Sequence, residues 1–304
     1  MNDLVTDVKS LEIETLKNLK NSKANNTLRA YKADFRDFAL FCQQNGFSSM
    51  PTDPKVLTLY LTQLSKSSKY STLKRRLASI SVIHKLNSHY LDTKHPVITE
   101  NLLGIKRIKG TYQRAKKPIL INDLKKIIEV INKDKNKKNI LKNKALLLIG
   151  FAGGFRRSEL VEIQYEDLEF VPEGVKIFVK KSKTDQSGEG MTKGIPYFSN
   201  PDYCPVVSLK KWIEEGDVKS DKIFDMSDRN VALIIKRYAR VAGLDENKYS
   251  GHSLRSGFAT STAEQGAEER SIMAMTGHKT TQMVRRYIKE ANLFKNNALN
   301  KIKI

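Results

Sequence analysis

Gly154-Phe155-Arg156-Arg157-Ser158-Glu159-Leu160 places paired arginines at the start of a helix, with a carboxylate three residues beyond the first. The apolar stretch Ile140–Ala152 precedes it and reads as a buried helix that Gly153-Gly154 breaks. Asn122 can cap a further helix running to about Asn132, and Lys133–Lys138 reads as a solvated loop. Downstream, Val175–Lys181 alternates as a strand does. Ile195–Phe198 is its candidate partner, and the polar, glycine-containing Ser182–Lys193 is a long hairpin loop. Helical patterns follow at about 205–215, 228–242, 250–265, 267–276 and 280–292. From residue 118 onward the chain therefore reads as mainly α with a small β-sheet, an α+β unit.

Upstream the pattern is helical throughout. Leu28, Tyr31, Phe35, Phe38 and Cys42 step by three and four to make one apolar stripe, while Arg29, Lys32 and Arg36 share another face. Asp53-Pro54 is an N-cap followed by proline at the first helical position, opening a helix over Val56–Leu64. Ser71 or Thr72 starts another through Leu86, with Lys74-Arg75-Arg76 clustered near its beginning.

The chain has 304 residues, and at roughly 150 residues per domain that length predicts two domains. It carries 54 Lys and Arg against 33 Asp and Glu, a formal net charge of +21, which points to a polyanionic partner. Residues 1–117 hold 21 bases and 9 acids, so the first part is the more basic per residue. That part ends in Lys106-Arg107-Ile108-Lys109-Gly110-Thr111-Tyr112-Gln113-Arg114-Ala115-Lys116-Lys117, six bases without an acid, which reads as an exposed linker. The expected boundaries are a helical domain at 1–105, a basic linker at 106–117, an α+β domain at 118–292 and a tail helix at 293–304. No apolar run is long enough to span a membrane, the first residues do not read as a signal peptide, and a cytoplasmic protein is expected. Cys42 and Cys204 form no CxxC pair and argue against a disulfide scaffold or a cysteine metal site.

Four clusters in the second part share one chemical theme. Besides Arg156 and Glu159, His252-Ser253-Leu254-Arg255 sets an imidazole and a guanidinium one turn apart, Gly277-His278 is a loop histidine, and Tyr287 follows nine residues later. Each is weak alone, since a buried tyrosine that packs its ring is far commoner than a nucleophile. In order, GFRRSEL, KKSKT, GHSLR, TGH and RRYIK resemble the tyrosine recombinase (phage integrase) family over about residues 118–292. The resemblance is closest to the Cre-type simple recombinases; Xer-type enzymes are similar in size.

The resemblance implies an N-terminal helical DNA-clamping domain (SAM-like, core-binding) joined to a catalytic α+β domain, closing as a C-shaped clamp around double-stranded DNA. It makes Arg156 the first catalytic arginine, with Arg157 as the competing candidate, and Glu159 its orienting acid. Lys183 is the hairpin lysine, with Lys181 and Lys180 as rivals because the hairpin register is open. His252 and Arg255 form the central pair, His278 joins them, and Tyr287 is the nucleophile, while Tyr249 and Tyr238 are expected to pack. Guanidiniums suit this task because they stay charged and offer a planar fork to a phosphate. A tyrosine hydroxyl, ordinarily titrating near about 10, must lose its proton on attack, and a neutral histidine can accept it. A mobile lysine can protonate the departing 5′-oxygen. The implied product is a 3′-phosphotyrosyl enzyme that a second 5′-hydroxyl can resolve without ATP. No cofactor or metal is expected.

By the same resemblance the working unit is a homotetramer on DNA, monomeric in its absence, that exchanges strands through a Holliday junction. The tail, with apolar residues at 293, 294, 298, 299 and 302, would dock on a neighbouring subunit. Lys74, Arg75, Lys106, Arg107, Lys109 and Arg114 are expected at phosphates, and Arg229 at a base. A type IB-like topoisomerase and a non-catalytic architectural DNA-binding protein are the rival readings.

Overall fold

Leu28, Tyr31 and Phe35 lie half-buried, and Phe38 and Cys42 fully buried, along one face of α1 (Asn25–Gln44). Arg29, Lys32 and Arg36 are exposed, as the two stripes require. In this computed structural model, residues 10, 11, 13, 14, 17, 18, 25–112, 115–180, 189–219, 221–291, 294 and 298–302 are described. The chain divides into two units, Met1–Arg114 and Ala115–Ile304, so the division falls within the stretch read as linker.

In the first unit α2 (Pro54–Ser65) opens as expected, the Asp53 carboxylate accepting from the Lys55 amide at 2.6 Å. α3 (Tyr70–Leu86) follows, and then α4 (Pro96–Lys109), which the apolar stepping left unassigned. His95 caps α4 through its side chain with proline next, and Ile98, Leu102 and Ile105 turn inward. These residues complete a core with Phe38, Leu57, Leu61, Leu73 and Ile80. Because that inward stripe carries the helix on, Lys106, Arg107 and Lys109 form its last turn, and Gly110 closes it at φ +68°. The first residues of the expected linker are therefore helical. Their bases sit where they complement the helix dipole.

The second unit is built around α6 (Lys137–Ala152), whose stretch Ala145–Ala152 is buried on every side. α5 (Ile121–Ile131) precedes it. Leu120 holds the N-cap position, so Asn122 lies inside the helix rather than capping it. Asn136 caps α6 from Asn139, drawing Lys137 and Lys138 into a helix instead of a loop. After α7 (Arg157–Val161), three antiparallel strands, β1 (Leu168–Val171), β2 (Gly174–Val179) and β3 (Met191–Pro196), pair in sequential order. Val175, Ile177 and Val179 of β2 face the core, and Ile177 pairs across to Lys193. α8 (Pro205–Glu215), α9 (Asp228–Val241), α10 (Ser253–Glu264), α11 (Glu269–Thr276) and α12 (Thr281–Ala291) complete the fold. In the tail, read above as a helix, the described residues form a 3-10 turn at Ala298–Lys301. Asn300 there carries little helix propensity. Among the described residues no helix is long and apolar enough to cross a membrane.

Candidate active site

The site begins at the turn that ends α6. Gly154 adopts φ +54°, and a side chain there would also press on the Phe258 ring at 3.0 Å. The turn presents successive carbonyls inward. Gly153 O accepts from Lys193 Nζ at 2.7 Å and Gly154 O from Arg255 Nη1 at 2.8 Å. Arg156 then takes the N-cap position of α7. Its backbone amide donates to Glu159 Oε2 at 3.0 Å, and its Nη1 donates to Oε1 at 2.5 Å. Glu159 is thus a buried carboxylate that both starts the helix and orients a guanidinium. Arg156 Nη2 also reaches Gly277 O at 3.4 Å. Arg157 instead reaches Asp228 at 3.6 Å, at the start of α9, so of the two arginines it is Arg156 that joins the cluster.

α10 delivers the central pair. His252 stands at its N-cap position and Arg255 in its first turn, only 1% exposed. Among the described residues the buried Arg255 Nη2 has no hydrogen-bond partner. Leaving such a donor unpaired costs about 1–3 kcal/mol, more for a charged group, so the position is poised for an acceptor. Burial, followed by the field of Arg156, lowers the Arg255 pKa to about 10, and Glu159 opposes the shift; the group stays charged at neutral pH.

Gly277 ends α11 in the left-handed conformation at φ +62°, which turns His278 back into the cluster. His278 is buried, its Nδ1 2.8 Å from Thr276 Oγ1, and its ring stacks obliquely on Tyr287 at 6.1 Å between centroids. Burial, then Arg255 and Arg156, push its pKa down to about 4. The half-buried Tyr287 on α12 packs with Ala259, Ala263, Ile272 and Val284. Its hydroxyl lies 3.4 Å from His252 Nε2. Desolvation first, then Arg255, Arg156 and Arg157, lower the His252 pKa below its ordinary value, so the ring is neutral at pH 7 and can accept a proton.

Arg156, Glu159, His252, Arg255, His278 and Tyr287, far apart in sequence, therefore share one place. Lys183, Lys181 and Arg114 lie outside the described residues. Lys180, the third candidate hairpin lysine, is bound to Gln164, Glu166 and Asp167. Tyr249 donates to Asp123 at 2.9 Å and Tyr238 to Asp134 at 2.7 Å, which are packing roles as expected. Lys74, Lys106, Arg107, Lys109 and Arg229 are exposed. Arg75 is half-exposed but bound to the buried Asp34. Sequence reasoning missed Lys193 and Thr276. Lys193 shares parity with the core-facing Ile195, which was the available signal; Thr276 stands in the TGH motif, where no role was assigned to it. Among the described residues, no group of three or more His, Cys, Asp or Glu could hold a metal ion.

Two guanidiniums converge beside a histidine-paired tyrosine, on a helical unit with a small antiparallel sheet, the arrangement that phosphoryl transfer to a tyrosine requires. The chain belongs to the phage integrase family, the tyrosine recombinases, whose family model matches residues 119–293. It is 41% identical to an integrase/recombinase xerD homolog of Selenomonas ruminantium, over 96% of this chain and 89% of that one. The tyrosine recombinase XerC of Thermodesulfovibrio yellowstonii is 26% identical over 87% of each. Among solved structures, a lambda integrase dimer bound to a COC′ core site shares the fold with TM-score 0.59 and 17% identity, covering 99% of this chain and 81% of that one. The Tn1549 transposon integrase in complex with circular intermediate DNA shares it with TM-score 0.63 and 15% identity, covering 91% and 93%.

Proposed function

We propose that the protein is a site-specific DNA recombinase that cuts and rejoins strands through a covalent 3′-phosphotyrosyl intermediate. The observation that carries this reading is the Tyr287 hydroxyl 3.4 Å from a neutral His252, beside a buried Arg255 with an unmatched N–H. Arg156 and Arg255 take the non-bridging oxygens of the scissile phosphate, and Glu159 keeps Arg156 aimed. His278 completes the anion cradle. Tyr287 attacks phosphorus as His252 accepts its proton, and the P–O5′ bond breaks. Lys183, on the connection between β2 and β3, protonates the departing 5′-oxygen. Attack by the 5′-hydroxyl of another strand reverses these steps and frees Tyr287, so phosphoester bonds are conserved without ATP.

The remaining assignments belong to the same reading. The first unit grips duplex DNA, with Lys74, Arg75, Lys106, Arg107, Lys109 and Arg114 near phosphates and Arg229 near a base, in the cytoplasm of a bacterium or through a phage or plasmid. Four copies assemble on two duplexes. The tail of each copy seats on the next, for which two features speak. Phe294, Leu299 and Ile302 are exposed, and an apolar groove of about 940 Å³ in the second unit is lined by Phe151, Pro196, Phe198, Tyr203, Phe258 and Met275.

Incubation with a DNA duplex bearing the target site is expected to give a covalent protein–3′-phosphate adduct that Tyr287→Phe abolishes. An adduct that persists in Tyr287→Phe, or forms on the 5′ side, rejects the assignment. Relaxation of supercoils by a monomer would favour the topoisomerase reading instead, and binding without any adduct the architectural one.

A further inference from the structure

Alternation along β3 sends Lys193 to the inner face of the sheet, opposite Ile177 and two residues from Ile195. Every other residue named on that face, Val175, Ile177, Val179 and Ile195, is apolar and buried. The Lys193 side chain is 0% exposed, a costly place for an ammonium. Its Nζ donates to Gly153 O at 2.7 Å, lies 4.3 Å from the centre of the Phe155 ring and 3.9 Å from Glu159 Oε2. All three contacts fall on the segment that sets Arg156: the turn before it, the ring beside it and the carboxylate that orients it. Filling the space does not require a charge, since methionine has a comparable shape.

We propose that Lys193 is a positioning residue of the phosphate site, bracing the Gly153–Phe155 turn and Glu159 so that Arg156 and Arg255 keep a fixed relation, and adding a buried positive charge that an arriving phosphate stabilises. The inference rests on the proposed function, in which those arginines bind the scissile phosphate. Three elements face Lys193 with charge: Glu159 from α7, Arg156 from the turn and Arg255 from α10. One carboxylate thus faces three cations. Burial is the largest influence on the ammonium, and with Arg255 and Arg156 it outweighs Glu159, pulling the pKa down to about 7. Without DNA, Lys193 is partly deprotonated near neutrality. A bound phosphate favours the ammonium, so DNA binding at the site takes up a proton. Cleavage at limiting DNA therefore falls as pH rises through about 7.

The test uses a nicked suicide duplex carrying the site that Tyr287→Phe protein selects from random-sequence DNA. Lys193→Met should cleave it about 10- to 100-fold more slowly, as expected for misplacement of groups at the chemistry, and without the fall near neutrality. Lys193→Arg, charged at every pH, should recover part of the rate and also lack that fall. Thermal unfolding separates positioning from scaffolding. The folded-state pKa lies below the unfolded one, so burying the charge costs stability fully below about 7, and this cost fades as pH rises toward the unfolded value. Lys193→Met should hence melt no lower than wild type, with its advantage largest on the acid side. A melting loss that tracks the lost rate, with the pH profile unchanged, overturns the proposal. So does a wild-type profile with no fall near neutrality, whatever the variants do. Absence of a Tyr287-dependent adduct in wild type defeats the functional reading instead, whereas a normal adduct with an indifferent Lys193→Met defeats this inference alone.

Discussion

Each unit gathers charge around a buried carboxylate, and the two clusters differ in balance. In the first, Asp34 and Asp37 face Arg75 and Arg76. Ser79 donates to Asp34 at 2.7 Å, and Tyr60 donates to Asp37 at 2.7 Å. In the second, among the described residues, Glu159 is the one carboxylate facing Arg156, Arg255 and Lys193, and Arg255 Nη2 has no hydrogen-bond partner. The first cluster is closed in charge, two carboxylates for two guanidiniums, and ties α1 to α3, although Arg76 Nε, 3.2 Å from Asp34 Oδ1, also makes no hydrogen bond among the described residues. The second is open, with three cationic side chains to one carboxylate. Buried charge that is matched reads as scaffold, and buried charge left in excess reads as a binding site for the missing sign.

The widest separation between the clusters should appear on deleting one member of each. Arg255→Met is expected to lower strand cleavage by roughly 10³-fold or more, as removal of a transition-state donor does, while the melting temperature holds. Asp34→Ala is expected to do the reverse. Losing the buried acceptor leaves Arg76 paired with Asp37 alone and should cost about 2 kcal/mol of the first unit's stability, measured by denaturant unfolding. Preformed phosphotyrosyl adduct in that variant should still religate. If Arg255→Met unfolded the second unit, or Asp34→Ala left stability untouched, the distinction between closed and open clusters would be lost.

The two clusters also differed in how far the sequence disclosed them. Arg156, His252, Arg255, His278 and Tyr287 sit in short motifs whose neighbours fix their geometry: a glycine turn, a helix start, a left-handed cap. Such sites are legible because local chemistry repeats. Asp34 and Arg76 were not legible as partners, since 42 residues separate them and Lys74-Arg75-Arg76 looks like any solvated basic face. α4 was missed although His95-Pro96 and the spacing of Ile98, Leu102 and Ile105 were there to be read. The four residues of β1 are too few to show alternation, and only pairing with β2 makes them a strand. β3 begins four residues before Ile195 because Lys193 disguises an inward position as polar loop. A buried lysine is visible only once the sheet is closed around it.

A smaller effect sharpens the comparison through pH. Tyr287 needs an unprotonated His252, and the pKa of that ring is lowered by desolvation and then by Arg255, Arg156 and Arg157. Cleavage should therefore persist below the ordinary histidine value of about 6.5 and be lost only further into acid. Replacing Arg157 by Met removes one of those fields and should move the acid limb upward by a few tenths of a pH unit, with the plateau rate unchanged. The measurement is the single-turnover rate against pH. An acid limb at or above the ordinary value in wild type would break the link between excess charge and a neutral base.

The smallest effect concerns Thr276, which anchors His278 within the open cluster. Its hydroxyl donates to Ile272 O at 2.6 Å, which leaves an oxygen lone pair toward His278 Nδ1 at 2.8 Å. Nδ1 then carries the proton of the neutral ring, and the stacking contact with Tyr287 fixes the plane. Burial first, and then the field of Arg255 and Arg156, holds His278 near 4; an entering phosphate offsets the arginine part, which favours a second proton on Nε2 that the ring can donate. Thr276→Val keeps the shape but removes the acceptor for Nδ1–H. One neutral hydrogen bond is worth about 1 kcal/mol, so cleavage should fall about 5-fold. Thr276→Ser, which keeps the hydroxyl and loses only the methyl, should retain most of the rate. Single-turnover cleavage of the same duplex by both variants reads the difference, with melting temperatures alongside to separate packing from orientation. A loss in Thr276→Ser with none in Thr276→Val would assign the effect to the methyl and its packing rather than to the hydroxyl, and His278 would then be aimed by Gly277 alone.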